Sequence, residues 1–256
     1  MTLDFNPRPS MADRINALVD AALIAEREAT PPRTYLGASR LGHACERSLQ
    51  LEFAGAPKDE GADFGGQTLR IFEIGHQLED LAIRWLRAAG IDLYTRKSNR
   101  PDGEQCGFSV AGGSIRGHVD GIIADAPAAL GLRTPALWEC KTMNAKNWRA
   151  CVKDGVTVSK PVYAAQIAIY QAYMEATVPG ISAAPALFTA INKDTAELHH
   201  ELVPFDAALA QRISDRAVRI IQATDAGDLL PRIAANRDFF ECRFCSHAGR
   251  CWGLAG

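Results

Sequence analysis

The sequence lacks any long apolar run. Its wholly apolar stretches span only a few of the 256 residues, far short of the roughly 20 that a membrane helix needs. The first 30 residues also lack the apolar core of a secretion signal, because charged residues such as Asp4, Arg8 and Asp13 interrupt them. We therefore expect a cytoplasmic protein with no membrane attachment.

A surplus of positive charge is also missing. The 28 Lys and Arg residues against 30 Asp and Glu residues give a formal net charge of −2, so any polyanion must be held locally rather than by a global basic field. No G-x-x-x-x-G-K-[ST] phosphate loop occurs either, so a helicase partner would be a separate chain.

What is present is ordinary globular composition, with 47% hydrophobic and 23% charged residues. This composition excludes disorder, collagen and coiled coil. We expect a single domain over residues 1–256, since a chain of this length can bury on the order of 75% of its extended surface.

Capping residues, periodicity and breakers predict an alternation of helices and strands. The predicted helices run from Ser10 to before Pro31, over about 67–89, from Ser159 to about Ala176, and from Asp206 to Gly227. The predicted strands cover 107–111, 114–125, 136–142, 185–192 and 197–203. The helix at 67–89 is apolar on two sides and is predicted to be buried. This order favours an α/β or α+β fold with a sheet at its centre.

The strand at 136–142 contains the sharpest chemical signal, the pattern Glu139-Cys140-Lys141. Alternation places Glu139 and Lys141 on one face and Cys140 on the other, where it packs. A hairpin with the preceding segment would bring Asp120 opposite Glu139. Two neighbouring carboxylates repel unless a cation neutralises them, and oxygen ligands suit Mg²⁺ or Mn²⁺.

Two helices offer further inward-facing polar groups. His76 and Glu79 lie on an apolar stripe of the helix at 67–89, and Gln166 and Tyr170 share a face of the later helix. Taken one at a time, these residues are more commonly core packing, and Glu139 with Lys141 is more commonly a solvated ion pair.

In order along the chain, these residues resemble the PD-(D/E)XK nuclease superfamily and, within it, the RecB-like nucleases. The match covers roughly residues 65–175. The resemblance implies a restriction-endonuclease-like α/β core, a central mixed sheet flanked by helices, and metal-dependent DNA cleavage. It assigns the metal to His76, Asp120, Glu139 and the backbone carbonyl of Cys140. It gives Lys141 a role in positioning or activating water, with Gln166 and Tyr170 as the Q-x-x-x-Y motif.

Seven cysteines in a chain without a secretion signal argue against a disulfide framework. Cys242, Cys245 and Cys251 are closely spaced, and Cys45 is a candidate fourth ligand far upstream. This distribution resembles the iron-sulfur subgroup of RecB-like nucleases, which includes CRISPR-associated RecB-family exonucleases and the AddB nuclease domain. The resemblance implies a 4Fe-4S cluster joining segments at about 39–50 and 240–252 around a nuclease core at about 65–205. A zinc site is the alternative, with His43 or His247 able to replace a thiolate. Cys106 and Cys151 are expected to be plain core or surface residues.

The resemblance implies DNA as the partner, single-stranded or with free ends, and favours an exonuclease. Two locally basic segments, 84–100 and 141–160, would track phosphates while Trp148 or Tyr163 stacks on unpaired bases. A structure-specific endonuclease and a non-catalytic nucleic-acid-binding protein remain alternatives. The sequence does not distinguish recombination, CRISPR adaptation and phage replication as the setting.

Overall fold

The computed structural model describes residues 9–100 and 102–254. The helices are α1 Met11–Ala29, α2 Glu46–Phe53, α3 Gly66–Ala88, α4 Ala145–Ser159, α5 Pro161–Met174, α6 Ala207–Ala226, α7 Phe240–Arg243 and α8 Ala248–Gly253. The strands are β1 Leu36–Gly37, β2 Asp92–Tyr94, β3 Gly107–Val110, β4 Ile115–His118, β5 Gly121–Asp125, β6 Ala136–Met143, β7 Ala186–Asn192 and β8 Leu198–Val203. Short 3-10 segments occupy Ala38–Arg40, Lys97–Asn99, Ala111–Gly113 and Ala128–Leu130.

A five-stranded sheet in the order β2-β5-β6-β7-β8 forms the centre of the fold. The pair β6 and β7 is parallel, and the other neighbours are antiparallel. A second sheet has the order β1-β4-β3. The structure thus confirms a mixed α/β fold with a restriction-endonuclease-like core. No helix within the described ranges has the length and apolarity of a membrane span.

Local sequence signals place most of the helix ends. Ser10 and Asp13 form the capping box of α1, and the Asp206 side chain caps α6 by accepting from the backbone amide of Leu209 at 2.8 Å. Gly227 ends α6 with a φ of 75°, a conformation in which glycine avoids the cost of a Cβ atom. These boundaries confirm the predictions for both helices.

The predicted continuous strand over 114–125 is wrong, because the chain changes sheets within it. Strand β4 pairs with β3, whereas β5 pairs with β2 and β6. The two strands separate at Val119 and Asp120. The consequence is functional, since Asp120 lies at a break in the strand, next to the central sheet.

The predicted burial of α3 on two sides is also wrong. Leu69, Ala82 and Leu86 are buried, but Phe72 and Ile74 are 42% and 52% exposed. Helix α3 therefore lies over the sheet with one face only. Helices α2 and α4 were not predicted, and α4 is broken at Gly155, where φ is 74°.

The three mid-chain cysteines are buried, as the packing interpretation expects. Cys106 and Cys151 belong to the apolar cluster around α5 and β7, and Cys140 to the cluster beneath α3. Trp138 shares that second cluster with Cys140, so the alternation of β6 is as predicted. It leaves Glu139 and Lys141 on the face opposite this cluster.

Candidate functional site

Strand register brings the two predicted strand carboxylates together. Gly121 of β5 pairs with Trp138 of β6, so Asp120, one residue earlier, lies beside the next residues of β6. Its carboxylate accepts a hydrogen bond from the backbone amide of Cys140 at 2.8 Å. The predicted approach of Asp120 to Glu139 is confirmed.

Lys141 is the cation of this group. Its ammonium forms an ion pair with Glu139, lies 3.6 Å from the Asp120 carboxylate, and donates to the Cys140 carbonyl at 3.1 Å. Burial alone would lower the pKa of Lys141, but Asp120 and Glu139 outweigh it and hold that pKa well above its usual value. The lysine is therefore charged and held by its neighbours.

Glu139 is fully buried, yet only one of its oxygens is satisfied. The Gln166 amide and the Lys141 ammonium both donate to its Oε1, while Oε2 has no hydrogen-bond partner within the described residues. Burial, with the charge of Asp120, raises the pKa of Glu139 to about 8 against the opposing effect of Lys141. An unpartnered buried carboxylate oxygen is costly, and a cation would satisfy it.

Helix α3 adds a third carboxylate, that of Glu79, which was noticed in the sequence but not assigned to the site. Burial, reinforced by the charge of Asp120, raises the pKa of Glu79 to about 7. His76, one turn earlier on the helix, is exposed rather than part of a buried stripe. The sequence already placed Glu79 on the apolar stripe of this helix. Periodicity alone, however, could not show whether Glu79 or His76 lies closer to the strands.

Gln166 and Tyr170 lie on one face of α5, directed toward the same group. Gln166 donates to Glu139, and Tyr170, 3% exposed, packs edge-on against Phe108 with ring centroids 5.6 Å apart. Burial and the charge of Glu139 raise the pKa of Tyr170. The phenol is therefore neutral, and Gln166 is the residue that orients the carboxylate.

The donor chemistry of the group suits a hard divalent cation. Three carboxylates, from Glu79, Asp120 and Glu139, and the Cys140 carbonyl supply oxygen atoms, the ligands that Mg²⁺ and Mn²⁺ accept. The unpartnered Oε2 of Glu139 fits the same requirement. Across residues 9–100 and 102–254, no three His, Cys, Asp or Glu side chains already surround one point as ligands of a single ion. Lys141 lies between two of these carboxylates, those of Asp120 and Glu139.

A second group forms where the two ends of the described chain meet. Four cysteines, Cys45, Cys242, Cys245 and Cys251, line one small cavity that is partly open to solvent. Cys45 caps α2 by accepting from the Ser48 amide at 3.4 Å. The structure brings the four cysteines to one cavity, although they are not arranged as the ligands of one metal ion.

Polar neighbours favour a thiolate at Cys245. Burial would raise the pKa of the Cys245 thiol, but the imidazole of His247 and the hydroxyl of Ser48 outweigh it and lower that pKa. His247 is itself buried and bonds to the carbonyl of Ala56 at 3.2 Å. His43 also borders the cavity.

The fold is similar to that of a known exonuclease. An alkaline exonuclease (LHK-Exo) from Laribacter hongkongensis superposes with a TM-score of 0.50 at 15% identity, over 81% of this chain and 93% of that one. The crystal structure of SSO0001 gives 0.49 at 15% identity, over 93% and 96%. The complex of LHK-Exo with dAMP gives 0.48 at 17% identity, over 82% and 93%.

The structural likeness has no counterpart at the level of sequence. The sequence matches no protein-family profile and no curated protein.

Proposed function

We propose that this protein is a metal-dependent deoxyribonuclease of RecB-like type that acts on single-stranded DNA or duplex ends. One observation carries the proposal: Asp120 and Glu139 flank Lys141, and within the described residues the buried Oε2 of Glu139 has no hydrogen-bond partner. A solvated ion pair does not account for this arrangement, since Glu139 is fully buried. The fold shared with an alkaline exonuclease is consistent with the proposal.

The residues of the group have separate tasks. Asp120, Glu139, Glu79 and the Cys140 carbonyl would hold Mg²⁺ or Mn²⁺, and His76 stays a predicted ligand at the exposed edge. A bound divalent ion would orient the scissile phosphate and lower the pKa of a water molecule. Lys141 offsets the growing negative charge at the phosphate and holds the attacking water. Gln166 fixes the rotamer of Glu139, and Tyr170 supports that helix face from behind.

Basic side chains flank this group on both sides. Arg96 and Lys97 are exposed and follow β2, whose last residue pairs with Ile122 near the start of β5. Lys146 and Arg149 are exposed on α4, which begins directly after β6. Both segments therefore leave the central sheet near the carboxylates, where a DNA backbone would need to be neutralised.

The two aromatic residues predicted to stack on bases are both partly buried against the core, and Tyr163 is the one that lies beside Lys141. The Trp148 indole donates to the Ala190 carbonyl at 3.2 Å and packs against the core. The Tyr163 ring lies 5.6 Å from the Lys141 ammonium, at the border of the site.

We also propose that the four cysteines bind a 4Fe-4S cluster that joins the segments around Cys45 and Cys251, with zinc as the alternative. Four thiolates complete such a cluster without external ligands. They bind different irons there, so they need not surround one point as zinc ligands do. The presence of all four cysteines around one cavity supports a shared metal centre of either kind.

Digestion of end-labelled linear and closed circular single-stranded DNA, with and without Mn²⁺, tests the activity. An exonuclease degrades only the linear strand, and only with the metal. Cleavage of the circle would indicate the endonuclease. No cleavage of either strand by metal-loaded protein would favour the non-catalytic nucleic-acid-binding protein.

A further inference from the structure

Two exposed aromatic rings meet at the start of α3. Phe64 and Phe72 are 45% and 42% exposed, and their ring centroids lie 5.0 Å apart at an interplanar angle of 88°. The edge of one ring thus braces the face of the other, a favourable aromatic geometry. Large apolar rings held in a fixed orientation in water are available to a ligand.

The pair is continuous with the proposed active site. Phe72 and Glu79 are seven residues apart on α3, which places them on one face of the helix about 10 Å apart along its axis. The exposed His76 lies on the same face between them.

The path of α3 over β6 fixes the direction of this face. Ala82 and Leu86 share an apolar cluster with Trp138. The charge of Lys141 acts on the pKa of Glu79. A Cβ atom on Gly75 would lie 3.5 Å from the Thr142 hydroxyl. The helix therefore runs antiparallel to β6. Phe72, nearly one turn before Gly75, lies beyond the carboxyl end of the strand that carries Glu139 and Lys141.

Cations accompany the rings. The Arg27 guanidinium lies 4.8 Å and the Lys58 ammonium 5.3 Å from the centre of the Phe64 ring. Both also pair with the half-exposed Asp63, so these three side chains together carry one positive charge in excess. Aromatic faces next to basic side chains are the combination that binds unpaired nucleotides without sequence preference.

We infer that Phe72, braced by Phe64, stacks on a base of the single-stranded DNA whose backbone enters the site at Glu79, with Arg27 and Lys58 beside its phosphates. The inference rests on the proposed nuclease function and specifies where the strand lies. At about 3.4 Å per stacked nucleotide, the 10 Å between Phe72 and Glu79 corresponds to about three nucleotides. The stacked base is therefore about three nucleotides from the cleaved bond.

The test measures kcat/KM with Mn²⁺ on a 20-nucleotide oligothymidylate and on versions that carry one abasic residue at successive positions. The full chain is compared with Phe72→Leu, which keeps an apolar side chain but removes the aromatic face, and with Phe72→Tyr, which restores it. Trp85→Leu is the matched control, because Trp85 is an exposed aromatic on another face of α3.

We expect Phe72→Leu to lower kcat/KM by about fivefold or more, the loss of one stacked base. Phe72→Tyr and Trp85→Leu should keep the parental value. An abasic residue about three nucleotides from the cleaved bond should lower kcat/KM of the parent protein by the same factor. It should not lower kcat/KM of Phe72→Leu any further, because the ring and the base contribute through one shared contact.

Three results would overturn the inference. If kcat/KM falls equally in Phe72→Leu and Trp85→Leu, the aromatic pair does not stack on the strand. The same holds if the loss of kcat/KM is independent of the position of the abasic residue. In both cases the nuclease proposal stands. If the parent does not cleave any oligonucleotide with Mn²⁺, the nuclease proposal and this inference fail together.

Discussion

The backbone amide of Cys140 donates to the carboxylate of Asp120 at 2.8 Å. Asp120 lies in the break between β4 and β5, so it belongs to neither strand. The bond returns it to β6 and directs its carboxylate toward Lys141, 3.6 Å away. One hydrogen bond thus attaches Asp120, although it lies outside the strands, to β6, the strand that contains Glu139 and Lys141.

Removal of either Asp120 or Lys141 should abolish cleavage and leave the fold intact. We expect Asp120→Ala and Lys141→Ala to lose about 100-fold or more in the rate of Mn²⁺-dependent hydrolysis of linear single-stranded DNA. Asp125→Ala, which removes an exposed carboxylate from the other end of β5, should retain the parental rate. Circular dichroism checks the fold, and parental rates for both site variants would refute the proposed site.

Glu79 should contribute more to metal affinity than His76. The carboxylate lies within the charged group, whereas the imidazole is exposed. We expect Glu79→Gln to raise the Mn²⁺ concentration for half-maximal rate by about tenfold, and His76→Ala to raise it by a smaller factor. Asp80→Asn, which alters the neighbouring exposed carboxylate, is the control. If the Mn²⁺ dependence of the rate is unchanged in His76→Ala, His76 is not a ligand of the metal.

The metal-free protein should become less stable as pH rises. Burial raises the pKa of Glu79 to about 7 and that of Glu139 to about 8, above the ordinary value of 4.5. The folded state therefore binds more protons than the unfolded state, and this stabilisation is fully present below pH 4.5 and is lost as pH passes through 7 and 8.

Thermal melting in EDTA should show this as a fall in Tm of about 10 °C between pH 5.5 and 8.5. Saturating Mg²⁺ should remove most of the fall, because it neutralises the ionised carboxylates. Glu79→Gln should flatten the profile in EDTA. A Tm that rises with pH in this window would contradict the assigned shifts.

Loss of one cysteine of the cavity should destabilise the whole protein. Anaerobically purified parent protein should be brown, absorb near ~400 nm and hold about four irons per chain. Cys245→Ala should lose both colour and solubility, because the segments around Cys45 and Cys251 are then no longer held by one cluster. Cys106→Ala, a buried cysteine outside the cavity, should stay brown. Colourless parent protein with one zinc per chain would show that the cysteines bind zinc and not an iron-sulfur cluster.

Local signals were sufficient for much of the fold. Capping residues located α1 and α6, and alternation in β6 separated Glu139 from Cys140. The strand over 114–125 failed because a sequence of continuous β propensity does not show that its two halves pair in different sheets. Helix α4 was missed because it contains Gly155 and several β-branched residues, which lower its intrinsic preference.

The site was predictable where it depends on strand period and failed where it depends on helix rotation. Asp120 and Lys141 are brought together by pairing between neighbouring strands, which alternation makes visible. His76 and Glu79 differ by less than one helical turn, so both satisfy the same stripe. Packing of α3 on the sheet leaves Glu79 partly buried and His76 exposed, and this difference depends on tertiary structure.

The cysteine cavity also sets an order of events during synthesis. Cys45 leaves the ribosome about 200 residues before Cys242, an interval of about 10–40 s at roughly 5–20 residues per second. The carboxylate group, complete once α5 has emerged, precedes the cavity. The nascent chain therefore passes through an interval in which all the carboxylates of the group have been synthesised while Cys45 is an accessible thiol, open to oxidants until the last segment arrives.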